Sequence, residues 1–476
     1  MKSMKYVMMG ALMLSLSAPA MAQNDNKATI DAIAKVIKSK AADAANQVKD
    51  VQKKNKKNAE VLVGIGRAYY EIKDTTNAKS FADLAMKANK KYAPIYILLG
   101  DLAANAGDGG EAAAQYQQAI YFDAKNPDAY YKYANIYRKI SPSEAVNKLE
   151  ELRAQRPDIS VDGMAGHIYY LENDFTKAIQ RFGQAWDSQR EQMTESNLTE
   201  YAMSLFFKQK NKESLEVAQY GLTKAPRDAA YNRLAFFNST DLKDYDTALN
   251  YADALFNKSD SAKFSYFDYT YYGNAYIGKK DYAKAIEMYQ KALTMEFDQK
   301  AKRAGVDKAL SDAYKQSDDY ANAIKYYEEY LNDVGKPSAN DRAGLAQLYV
   351  LKANDEKDAA KKEEGFKQAI KVYTDLKNDE PDAADYTTYK IAQVNSYMDP
   401  ETKLGLAKPY YEELMKMIEP RAEKDAADKG RLMECYRYLG YYYLVKNDKA
   451  NSDIYWKKVL ELDPNNDAAK QVLGIK

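Results

Sequence analysis

The side chains best suited to chemistry are scarce in this chain of 476 residues, which has one His (His167) and one Cys (Cys435). A structural zinc site of the usual kind takes four Cys and His ligands, so none can be assembled. Most Cys/His nucleophilic pairs are ruled out for want of partners. His167 stands in DGMAGHIYYLENDF without a nucleophile or ligand cluster beside it, which makes it a polar contact residue rather than a catalyst. Cys435 precedes Tyr436 at the start of a predicted helix and reads as a small, semi-buried side chain. The acidic pairs Glu328-Glu329 and Glu412-Glu413 are each adjacent on one helix. Their side chains therefore point about 100° apart, which suits a solvated surface better than a glycosidic bond held between two carboxyls. Asp241, Asp244 and Asp246 in STDLKDYD have a calcium-loop rhythm but lack its central Gly and terminal Glu. Neither Gly-x4-Gly-Lys-Ser/Thr nor Gly-x-Gly-x-x-Gly occurs. With 70 basic against 69 acidic residues, no overall excess of positive charge points to nucleic acid. The sequence assigns no catalytic, metal-binding or cofactor-binding residue, and the chain is read as a non-enzyme.

What the chain has in abundance is Tyr, 43 against 2 Trp, and the spacing of the aromatics is periodic. In Tyr266 to Leu293, Tyr269 is followed by Tyr272, Gly273 and Tyr276, then by Ala285, Tyr289 and Ala292. The frame recurs as Gly66, Tyr69, Ala78 and Ala85, as Tyr96, Gly100, Ala112, Tyr116 and Ala119, and at the far end as Tyr436, Gly440, Tyr443 and Trp456. One small residue marks each unit: Ala78, Ala112, Ala145, Ala178, Ser214, Ala248, Ala285, Ala323, Ala369, Ala407 and Ser452. Successive intervals run 34, 33, 33, 36, 34, 37, 38, 46, 38 and 45. A unit near 34 residues thus dominates the first half, and insertions lengthen the second.

This pattern resembles the tetratricopeptide repeat, W-x2-L-G-x2-Y then A-x3-F-x2-A then Pro, over residues 59–466. The resemblance implies an all-α solenoid of about eleven helix-turn-helix repeats forming a right-handed superhelix. Residues at intervals of three and four share one helical face, and no single pair can bury that face alone. Small residues fit where the two helices cross, and aromatics fill the gaps between pairs. Tyr116, Tyr289, Tyr327, Tyr373 and Tyr411 occupy the large core position of the second helix. Pro157, Pro226, Pro381 and Pro464 follow second helices, where the chain need not continue helical. Residues 23–58 read as a degenerate leading helical pair, and residues 467–476 as a capping helix. Insertions fall near 352–365 (a charged, solvated helix extension), 398–405 (a turn) and 415–429, which is expected to loosen the join to the last repeat. No disordered linker is evident, so the array reads as continuous.

Residues 1–22 have the form of a cleaved signal peptide. Lys2 and Lys5 precede a mostly apolar core from Tyr6 to Ser17, and Ala20-Met21-Ala22 is an A-x-A site before Gln23. The core is too short to span a bilayer, no Cys lies near the site to carry a lipid, and no later run reaches spanning length. The mature chain is expected to be periplasmic or secreted, without a transmembrane segment, and not a lipoprotein. The composition and the AMAQ leader are similar to secreted repeat proteins of Bacteroides-type bacteria.

Members of the repeat family place ligand contacts on their first helices. Carried onto this sequence, that face holds Tyr131, Asn135, His167, Tyr271, Asn274, Tyr389, Tyr438 and Tyr441 as candidates for contact with a protein or peptide partner. Tyr gives large contact area at low entropic cost. The Lys/Asn/Arg clamp by which some members hold a C-terminal carboxylate is absent, since the equivalent positions are Tyr131 and Asn135, then Gly163 and His167, then Thr199 and Met203. The expected function is a non-enzymatic scaffold of the cell envelope, with a partner in the concave groove, in an envelope complex. The alternative is a glycan- or peptidoglycan-associated module. That reading is weakened because Trp456 falls at a core position and Trp186 at a linker position, leaving no Trp to stack on sugars.

Overall fold

The chain is described here from a computed structural model covering residues 22–475. The signal-peptide reading falls on residues outside this range, apart from Ala22, which opens the helix Ala22–Ser39. Among the described residues the regular elements are all helices, and those between 59 and 462 fall into eleven consecutive pairs. A leading pair, Ala22–Ser39 and Ala44–Lys54, precedes them, and a short helix, Asp467–Leu473, follows.

Eight of the eleven pairs share the same local chemistry at their turn. The first helix ends on a residue in the left-handed region: Lys73, Asn173, Gln209, Lys243, Lys280, Asp318 and Asn447 have φ between 56 and 64°, and Gly107 has φ +82°. The next amide reaches back five residues, as in Asp74 N–H to Tyr69 C=O (2.9 Å) and Asp281 N–H to Tyr276 C=O (3.0 Å), which closes the helix end. That same residue then caps the second helix. Asp74, Asp108, Asp174, Asp244, Asp281, Asp319 and Asp448 each accept the backbone N–H three residues on, satisfying a donor the helix cannot pair internally. Asp244, part of the superficial calcium-loop rhythm, is one of these caps. Asp241 instead accepts the Tyr271 hydroxyl and Asp246 pairs with Lys279, so the three carboxylates go to three different partners.

In nine pairs the small residue of the repeat stands four residues after the cap, while Ala369 lies further along its longer helix and Ala407 is itself the cap residue. All eleven, from Ala78 to Ser452, have no exposed surface. Where Ser replaces Ala its hydroxyl donates to the facing helix, Ser214 to Ala202 C=O (2.8 Å) and Ser452 to Gly440 C=O (2.8 Å), so a buried polar atom is satisfied. Glycines on the first helix accept an aromatic face sixteen residues later: Gly100 lies under Tyr116, Gly166 under Phe182, Gly273 under Tyr289 and Gly440 under Trp456. A Cβ at any of these four would run into the ring.

Packing is densest within two units, one ending at Asn238 and the other beginning at Ser239. In the first, Ile33, Ile37 and Val48 of the leading pair join Val61, Leu62, Ile65 and Leu98 in one core. In the second, one cluster gathers Ala285, Tyr289, Val306 and Leu310, and another gathers Tyr411, Leu414, Ile418, Cys435, Leu439 and Trp456. Tyr116, Tyr289, Tyr327, Tyr373 and Tyr411 are all buried, as is Cys435, whose thiol pKa is pushed up by desolvation.

The extra residues at 352–365 are absorbed by lengthening both helices of their pair, Ala339–Asp355 and Ala359–Asp379, around a three-residue turn. Two sequence expectations need adjusting, those for 415–429 and for Trp186. The segment 415–429 does not loosen its join: Met415 and Ile418 are buried, and Arg421 reaches both Asp385 and Asp428. Trp186 is not a linker residue. It belongs to the helix Phe175–Gln189, is buried, and carries the Arg190 guanidinium 3.8 Å from its ring.

Candidate functional site

First helices of consecutive repeats lie side by side, so a side chain on one meets a side chain roughly one period later. The result is a series of polar contacts along the first-helix face. In the first unit, the buried Asp101 accepts Lys132 (2.8 Å), the Tyr116 hydroxyl (2.8 Å) and Arg67 (3.3 Å). Arg138 pairs with Glu172, Asn197 donates to Gly163 C=O (3.2 Å) and Tyr170 approaches the Met203 sulfur at 3.5 Å. In the second unit, Lys308 reaches Asp341 (3.2 Å) and Tyr389 donates to Glu434 (2.7 Å). Burial and neighbouring carboxylates raise the pKa of Tyr116 and Tyr389, so both stay neutral donors at physiological pH.

Most of the eight candidate residues are bound into this series. His167 Nδ1 lies 2.8 Å from both oxygens of Glu200, one repeat on, and Ser196 donates to the same carboxylate at 3.1 Å. The half-buried Tyr131 ring packs against His167 with centroids 5.7 Å apart. The carboxylate thus stands between Ser196 and the imidazole, which leaves no hydroxyl-to-imidazole bond of the kind that activates a nucleophile. Asn135 accepts from Arg138 Nε (2.9 Å). Tyr271 donates to Asp241 at 3.2 Å, while Asn274, exposed, accepts the core Tyr289 hydroxyl at 2.7 Å. Tyr389 shares Glu434 with Tyr411 and also accepts from Gln393 (2.8 Å). The Tyr438 ring lies 4.7 Å from Tyr411, and desolvation pushes its hydroxyl pKa up to about 12. Tyr441 is 45% exposed, which makes it and Asn274 the two candidates that present themselves most openly to solvent.

The structure brings together Tyr131 with His167, and Tyr389 and Tyr438 through Tyr411. It does not gather the eight into one place. Sequence reasoning missed the acidic partners Asp101, Glu200 and Glu434. The signal for them was present: each is a carboxylate on a first helix, about one period from a residue it pairs with. It also missed Asp307, buried at 1% exposure with no hydrogen bond to either oxygen. The acidic pairs go to separate partners as well. Glu328 accepts the Tyr349 hydroxyl, Glu412 pairs with Lys408, and Glu413 pairs with Lys377.

The family profile described as tetratricopeptide repeat matches residues 269–299 and 309–332. Among solved structures, the chain is similar to the C-terminal part of a tetratricopeptide repeat-containing protein from Cytophaga hutchinsonii. The identity is 26% over 58% of this chain and 99% of that one, with a TM-score of 0.45. It is also similar to a tetratricopeptide repeat protein from Parabacteroides merdae, at 17% identity over 54% and 98% of the two chains and a TM-score of 0.34. A third likeness is to pilF of Pseudomonas aeruginosa, at 19% identity over 42% and 93% and a TM-score of 0.34. No curated protein matches the sequence.

Proposed function

We propose that this chain, a tetratricopeptide repeat protein, is a non-enzymatic scaffold of the cell envelope that binds a protein partner on its first-helix face. The observation that carries the reading is the division of labour within each repeat. The second helix puts its small residues and its core aromatics into packing, with all eleven small positions fully buried, although Tyr121 and Ile454 stand exposed on second helices. The first helix keeps aromatic and amide groups at its outer side, with Tyr441, Tyr397, Phe207 and Phe267 at 40–50% exposure and Asn274 exposed beside them in sequence register. Large, stiff, amphipathic side chains on a rigid helical frame are the usual anchors of protein interfaces. The glycan-binding alternative lacks its best tool, since both indoles are buried.

Photo-crosslinking from exposed first-helix positions tests this. A benzophenone amino acid placed at Asn274 or Tyr441 in the full chain, expressed in the native host, should crosslink to a protein. The same group at Glu287, exposed on a second helix, should not. Crosslinks from Glu287 alone would move the interface to the other face and defeat the reading.

A further inference from the structure

We infer that one corner of the second unit is a docking site for a partner segment carrying acidic side chains between apolar ones. The corner is made by the C-terminal halves of the helices Ala384–Met398 and Ala426–Val445 and the turn joining Met398 to Lys408. The inference rests on the partner-binding reading above and gives it a place and a chemistry.

The apolar part is concentrated. Leu404 is 73% exposed, Tyr397 48%, Tyr441 45% and Leu444 40%. Isolated exposed apolar residues are ordinary, but a contiguous group marks a contact surface. Contiguity follows from register. The two helices are first helices of consecutive repeats and run in the same direction, and the Tyr389–Glu434 hydrogen bond aligns them. Two turns further along, Tyr397 and Tyr441 reach the same level of the two helices, the Tyr397 ring leaning back onto Phe366 with centroids 6.1 Å apart. Leu444 lies one turn beyond Tyr441 on the same face.

The turn is outside the repeat pattern, and it is held firmly. Asp399 is 6% exposed, and its Oδ2 accepts the backbone N–H groups of Leu404 (2.9 Å) and Gly405 (2.7 Å). Gly405 takes φ +74° to make that turn. Lys446 ties it to the end of the helix Ala426–Val445 by donating to Lys403 C=O (2.9 Å). A leucine fixed in solvent by a satisfied buried carboxylate contributes nothing to packing, and its rigidity suits a preorganised contact.

Charge selects the occupant. Carboxylates at the corner are already engaged: Glu434 by Tyr389, Tyr411 and Gln393, Asp399 by two backbone amides, and Glu401 by Lys403. Of the cations, Lys403 is paired with Glu401 and Lys408 with Glu412, but Arg437 and Lys446 are not paired with a carboxylate among the described residues. Arg437 is exposed on the face of Tyr441 and Leu444. Lys446 touches only a carbonyl and the Tyr442 ring. Unmatched cations around an apolar patch favour carboxylates spaced between apolar side chains.

The test uses the full chain and two fluorescent octapeptides, one alternating Asp or Glu with Leu or Phe, the other with Lys at the acidic positions. Phosphatidylglycerol vesicles serve as a third probe. The acidic peptide should bind, and binding should weaken with salt. Leu404→Ser and Tyr441→Ala should each weaken it about tenfold and Arg437→Glu further, all with unchanged melting because these side chains are exposed. Equal binding of both peptides, indifference to the three substitutions, or vesicle binding that Leu404→Ser abolishes would overturn the inference, the last by making the corner a lipid surface. Crosslinking from Asn274 that persists after such a result would leave the partner-binding reading standing without this corner.

Discussion

At position 285 there is room for a methyl group and no more. Ala285 has no exposed surface, it stands one turn into its helix, and the first helix of its pair crosses beside it. Ala285→Leu should therefore destabilise the chain by about 1–3 kcal/mol through overpacking, measured as a lowered midpoint in thermal melting. An unchanged midpoint would mean the crossing is elsewhere. Asp307 is the opposite case, a group too polar for its place. It is 1% exposed, neither oxygen is hydrogen-bonded, and Arg303 stands 3.8 Å away while also facing Asp333. Desolvation is the main cause that holds its pKa up at about 6, with Asp333 and Glu329 adding to it against Arg303. A carboxyl whose native pKa lies above its unfolded value holds its proton more tightly when folded. Stability from this group is thus present below about pH 4 and lost as pH rises toward 6. Asp307→Asn should stabilise the protein at pH 7.5 by up to about 2–3 kcal/mol, and the gain over the parent should shrink by pH 4.5. Melting both proteins at the two pH values decides it, since a gain independent of pH would show that burial of the charge is not the cause.

The element that recurs most faithfully is the turn between the two helices of a pair. Its left-handed residue is usually not glycine: Lys280, φ 59°, is representative. A side chain in that region costs about 1–2 kcal/mol, which is offset here by the reach-back hydrogen bond from Asp281 and by its capping of the next helix. Lys280→Gly should raise stability by roughly 0.5–1 kcal/mol, the relief of strain exceeding the added freedom of the unfolded chain. Lys280→Val should lower it, because a branched Cβ fits this region worst. A denaturant midpoint for each variant gives the sign.

For the molecule as a whole, the repeat supplies a frame and the insertions supply individuality. No helix among the described residues is long and apolar enough to cross a membrane. The export reading rests on residues 1–22 and predicts a mature chain beginning at Gln23. N-terminal sequencing of protein from the native host should find Gln23, and an intact Met1 in the membrane fraction would sink it.

The eleven-fold repeat, the buried small residues and the core tyrosines were legible in the sequence because each is fixed within about 34 residues of chain. A helix pair either has a small side chain at its crossing or it does not pack, and periodicity records that. Which polar residues of the first helices remain open to a partner was not legible, because it depends on the neighbour one repeat away. Tyr271, Tyr389 and Tyr441 have the same residue type at similar registers. Asp241 takes the hydroxyl of Tyr271 and Glu434 that of Tyr389, while Tyr441 is left 45% exposed. Leu404 likewise reads as an apolar residue in a polar turn until Asp399 is seen folding that turn and holding the leucine outward. Local spacing determined where the helices cross. Only the stacking of repeats decided which side chains were used up in holding them together.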